Sequence, residues 1–128
     1  MIHALDAPPD RLGDEGSGTV NSLGLIALAI TLSLLLAGVG AARTAAVRLQ
    51  AVADLAALAG AERSATFPWE DVGAAPCDAV ASVTAANGVD VESCEVLGSD
   101  CRVIVSEFVR IMGVSVEIRA KARAGQEQ

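Results

Sequence analysis

Charged side chains are absent from residues 16–42. Within that run Leu23, Leu25, Ile26, Leu28, Ile30, Leu32, Leu34, Leu35 and Leu36 point in every helical direction. An apolar helix without a polar face belongs in lipid rather than on a surface. Residues 20–42 exceed the about 20 needed to cross the hydrocarbon core. After Arg43 the pattern changes without a break, in "RTAAVRLQAVADLAALAGAERSA". Ala46, Leu49, Val52, Ala53, Ala56 and Ala59 recur there at spacings of three and four, which predicts an amphipathic helix with a narrow, alanine-rich seam. No proline interrupts, so one helix is expected over about 20–65. A half-helix so rich in alanine buries little alone and needs a neighbour. That neighbour is either the C-terminal part of the same chain or another subunit.

"TFPWEDVGAAP" is a loop by its prolines and glycine, and Trp69 within it is either a contact residue, an interfacial anchor or a cap on a small core. "CDAVASVTAANG" reads as a short helix ended by Asn87-Gly88, with Val80, Val83 and Thr84 facing inward. Three strands follow. "VDVESCEV" leads through Leu97-Gly98-Ser99-Asp100 into "CRVIVSEFV", and Gly113 marks the turn into "VSVEIRAKARA". The last alternates Val114, Val116, Ile118, Ala120 and Ala122 against Ser115, Glu117, Arg119, Lys121 and Arg123. The expected fold is α+β: a long N-terminal helix, a short helix and a three-stranded antiparallel sheet. If Val96 and Cys101 flank a four-residue turn, then Cys94, Val96, Cys101, Val103 and Val105 share one face of the hairpin. The short helix beginning at Cys77 would cover that face. A Cys77–Cys94 disulfide would then staple helix to sheet, leaving Cys101 over.

The 128 residues allow one small domain, and part of them is taken by the apolar run. Two Phe, one Trp and no Tyr leave packing to small side chains. A net charge of −7 excludes a nucleic-acid partner, since phosphate would be repelled. The three cysteines form no C-x-x-C pair, and the lone His3 lies far away, so no metal site or cofactor is expected and a disulfide outside the cytoplasm is. No Ser or Cys has a partner base and no phosphate loop follows a strand, so neither an enzyme nor a small-molecule substrate is expected. Glu92, Glu95 and Glu107 lie on strands without an evident partner. The stripe of Arg119, Lys121 and Arg123 reads as the wet face of a half-exposed sheet.

A secretory signal would need a basic head and a shorter apolar core. Here Asp6, Asp10, Asp14 and Glu15 precede the run against one Arg11, which favours a retained span. Orientation stays open on these grounds. Arg43 and Arg48 place the C-terminal part inside, whereas the cysteines place it outside.

Two stretches resemble the TadE/TadG-like proteins of Flp (tight-adherence) pilus systems. "EGSGTVNSLGLIALAI" is similar to a prepilin-peptidase site abutting a membrane helix, which implies cleavage between Gly16 and Ser17. "VRLQAVADLAALAGA" is similar to the family run after the span, carried here by Arg48, Leu49, Gln50, Ala53, Asp54, Ala56, Ala57, Leu58 and Ala59. The resemblance implies a pilin-like subunit whose N-terminus is cytoplasmic and whose single-pass helix carries an extracytoplasmic head. Its partners would be other pilin-like subunits, pilus or secretion assembly proteins, the membrane and prepilin peptidase. Asn21, Leu49, Gln50, Ala53, Asp54 and Ala56 would serve helix packing and assembly. Pilins of this type usually carry Glu where this chain has Asn21, and an uncharged residue there cannot make an ion pair, which points to a minor pilin or pseudopilin. The organisation expected is an acidic leader (1–16), a transmembrane and extended helix (17–65), a loop (66–75) and a small head (76–128). The competing reading is a single-span anchored binding or regulatory module unrelated to pili.

Overall fold

A computed structural model describes the backbone of residues 11–66 and 73–125, and side chains at 16–65 and 73–125. His3, Pro68 and Trp69 therefore lie outside the described residues. Five elements follow in chain order: α1 (Arg11–Thr66), α2 (Ala75–Ala86), β1 (Asp90–Leu97), β2 (Asp100–Ile111) and β3 (Val114–Ala124). The strands form one antiparallel sheet in the order β1-β2-β3. The fold class is the expected α+β. α1 starts earlier than hydropathy alone indicates, because an uncharged run measures lipid-crossing length and not helix length. No proline lies between Arg11 and Val20 to stop the helix.

The chain divides into two compact units, Met1–Ala37 and Gly38–Gln128. In the first, every side chain described on α1 is exposed, apolar ones included. In the second, the rest of α1 and α2 supply side chains to the inner face of the sheet. The core comprises Leu49, Val52, Ala53, Ala56, Ala57 and Ala61 of α1, Val80 of α2, Val89, Cys101, Val103 and Val105 of β2, and Ala120 of β3. Small residues on both sides let backbone approach backbone, as three aromatics in the whole chain require.

Register follows from the alternation. Cys94 opposes Val103 and Val96 opposes Cys101, while Val103 and Val105 oppose Ala122 and Ala120 on the other side. Cross-strand partners share a face, so Cys94, Val96, Cys101, Val103 and Val105 lie together. The β1–β2 connection is tighter than the four residues expected: Leu97 and Asp100 also pair, leaving Gly98-Ser99 as the turn. Gly98 takes φ +64°, which suits a two-residue hairpin turn that starts with glycine. A bulge between Val91 and Ser93 shifts the register beyond Cys94. α2 opens with Pro76 in its first turn and closes at Asn87, after which Gly88 reverses the chain at φ +68°. Val80 and Thr84 are buried and Val83 is half-buried. Cys77 and Cys94 form a disulfide with Cα atoms 5.9 Å apart, tying α2 to β1.

Candidate functional site

The helix face carrying Arg48 to Ala59 holds most of the residues singled out in the sequence. The seam's neighbour is the chain's own sheet. Leu49, Val52, Ala53 and Ala56 are buried against it. Ala46 is exposed and Ala59 only half-buried. The buried row continues instead through Ala57, Gly60, Ala61 and Ser64, by steps of three and four from Leu49. Gly60 is the tightest point. A Cβ there would stand 2.5 Å from Cys101 Sγ and 3.0 Å from Val80 Cγ2, so α1, α2 and β2 meet where one residue has no side chain.

The polar residues of the same run flank the seam and fasten it. Arg48 Nη1 donates to Glu107 Oε1 at 2.8 Å, and its Nη2 donates to the Asn87 carbonyl at 3.0 Å. One guanidinium thereby joins α1 to β2 and to the end of α2. Glu107, read from sequence as lacking a partner, has this one. Its other oxygen, Oε2, is buried without a hydrogen bond among the described residues. Arg48 is more than half exposed, so the pair contributes near the surface figure of about 1 kcal/mol or less. Gln50 Nε2 donates both to Asp54 Oδ1 (3.0 Å) and to the Lys121 carbonyl (2.9 Å). The first is the local helix pair its spacing predicts. The second occupies a carbonyl on β3, an edge strand.

The basic stripe is largely neutralised within the chain. Arg119 pairs with Glu92 and Glu117, and Arg123 with Asp100. Glu92 therefore also has a partner that sequence reading missed. Cys101 is fully buried and its thiol is pushed up by desolvation, so it stays protonated and unreactive.

A second row on α1 was not read from the sequence. Val47, Leu55 and Leu58 are exposed large apolar residues, with exposed Ala51 between them. Their spacing of four, four and three puts them on one face, away from the buried seam. That regularity was available in the sequence, but one amphipathic stripe was sought and two are present. At the other end, Gly16, Ser17 and Asn21 are exposed, and the Gly16–Ser17 bond lies inside α1. α1 is also long and apolar enough to cross a membrane, and no part of its most apolar window is buried.

Residues 16–64 match the family model described as "Putative Flp pilus-assembly TadE/G-like". The match covers most of α1 and ends before α2. No curated protein and no solved structure gives a significant match to the chain.

Proposed function

We propose, from the TadE/G-like match over residues 16–64, that this chain is a minor pilin or pseudopilin: a structural or assembly subunit of a Flp-type pilus or related secretion system. The observation that carries the reading is the bare apolar run inside the matched helix. It acts as a single-pass anchor in the cell membrane, with the N-terminus cytoplasmic and the sheet outside. The Cys77–Cys94 bond supports an extracytoplasmic head, since such bonds persist in oxidising compartments. Prepilin peptidase would remove the acidic leader between Gly16 and Ser17. Mass spectrometry of protein extracted from native membranes tests this. A mature chain beginning at Ser17 is expected. An intact Met1 in cells with active prepilin peptidase counts against a pilin-like subunit.

The placement of the seam changes which residues are free to assemble. Leu49, Ala53 and Ala56 are used inside the head, and Gln50 and Asp54 sit at its margin. The open row of Val47, Leu55 and Leu58 is the helix face left for another pilin-like subunit. Val47→Glu and Leu55→Glu should therefore abolish co-isolation with such partners while leaving the melting temperature of the head within about 2–4 °C of wild type, because both side chains are exposed. Undiminished co-isolation would remove this row from the assembly interface.

A further inference from the structure

The hairpin joining β2 to β3 ends in an apolar tip that no core residue requires. Residues 108–116 read "FVRIMGVSV", with Arg110 their one charge. Phe108, Met112 and Val114 are 67%, 59% and 61% exposed. Met112 itself sits at φ +51°, followed by Gly113 at φ +81°. A two-residue turn with both angles positive is made at least cost by Asn, Asp or Gly. A long apolar side chain is not the residue that this turn geometry selects.

Its location supplies a reason. A Cβ on Gly38 would lie 3.3 Å from Met112 Sδ and 4.0 Å from Ile111 Cγ2. Gly38 belongs to the same compact unit as the hairpin. It also belongs to the uncharged run, five residues before Arg43. At an α-helical rise this is about 7.5 Å on the lipid side of the first charge. If the hydrocarbon core takes about 20 residues centred on the run, it ends at about Val39. Gly38, beside which Met112 sits, therefore falls at the outer boundary of that core. We infer that the β2–β3 hairpin tip, through Met112 and Val114, inserts into the interfacial layer of the membrane that holds α1. The inference rests on the reading of α1 as a membrane anchor.

The chemistry of the tip suits that layer. The β2–β3 ladder is complete to Ile111 and Val114, and the outward-facing backbone groups of the two-stranded tip find partners in the hydrated interfacial layer, which the hydrocarbon core would deny them. No acid lies between Glu107 and Glu117, and these two are paired with Arg48 and Arg119. Arg110 is exposed beside the tip, and Arg43 follows on α1, so both guanidiniums can reach lipid phosphates while their stems lie along apolar surface. A second protein copy would not need this apolar cluster at this particular height on the helix.

The test uses the full chain in vesicles of phosphatidylcholine and phosphatidylglycerol, in a Trp69→Phe background that removes the single native tryptophan. Met112→Trp and Val114→Trp report the tip, Leu28→Trp the span, and Ser99→Trp the opposite turn of the sheet. Lipids brominated near the headgroup should quench both tip probes more than lipids brominated near the chain ends. Leu28→Trp should show the reverse, and Ser99→Trp no loss of emission. Unquenched tip probes beside a quenched Leu28→Trp overturn the inference and leave the anchor standing. A blue shift at the tip without quenching means a protein contact such as a second copy, and overturns it as well. Quenching of Ser99→Trp to the same extent means the head lies flat, which also overturns it. Loss of quenching at Leu28→Trp overturns the anchor reading and the tip inference together.

Discussion

Breaking the Cys77–Cys94 bond is expected to destabilise the head by about 3 kcal/mol, the chain-entropy figure for a closed loop of this length. For a domain of this size that lowers Tm by roughly 12–24 °C. The bond ties α2 to β1, an edge strand paired only with β2. Without it, α2 is held mainly by Val80, Thr84 and Pro76, a small apolar contact for twelve residues. Cys77→Ser and Cys94→Ser should each show the loss in thermal melts followed by circular dichroism. Wild type melted with reductant should match them. Cys101 should not substitute for a missing partner. It opposes Val96 rather than Cys94, and burial keeps its thiol protonated and slow to exchange. A reduced protein melting within about 2 °C of the oxidised one would show that the bond adds nothing to folding.

The cysteine pairing was legible because it follows from parity. Once Val96 and Cys101 flank a turn, strand alternation alone puts Cys94 on the face that the helix at Cys77 must cover. The actual turn is two residues rather than four, but shortening it by one residue on each side leaves the parity unchanged. β3 was legible for the same reason, its bounds resting on an uninterrupted alternation. The seam was legible as a stripe but not as an interface. Alanines at three and four serve equally against a sheet of the same chain or a helix of another. What decides is complementarity with Val103, Val105 and Ala120, more than forty residues away, and no local pattern encodes that distance. The same applies to Arg48 and Glu107, 59 residues apart. Each looked like an exposed charge until the sheet was laid on α1. The family resemblance points to this helix and implies an assembly role for its residues. The fold then divides that helix into a face used internally and a row of Val47, Leu55 and Leu58 left open.

Enlarging the seam should detach the head from its helix. Ala53 and Ala56 are fully buried, with the sheet directly opposite, so Ala53→Leu or Ala56→Leu should cost at least about 1–3 kcal/mol in overpacking. Thr44→Leu, on the exposed side of α1, should stay within about 0.5 kcal/mol. Gly60→Ala tests the mechanism more sharply, because two effects oppose. Alanine in a helix interior is favoured over glycine by about 1 kcal/mol. The added methyl, however, meets Cys101 Sγ and Val80 Cγ2 at distances that force a shift. Cys101 is fully buried and its Sγ would stand at 2.5 Å, so the steric term should win and Gly60→Ala should lower stability. Cys101→Ala removes the atom met first, leaving Val80 Cγ2 at 3.0 Å and the residue 101 Cβ at 3.3 Å, which smaller shifts absorb. The double variant should then be more stable than the sum of the two single losses predicts, by about 0.5 kcal/mol or more. Denaturant melts of the four proteins give that coupling directly. Strict additivity, or a stabilising Gly60→Ala, would mean that α1 and β2 have room between them and that the small-residue seam does not set how closely the head sits.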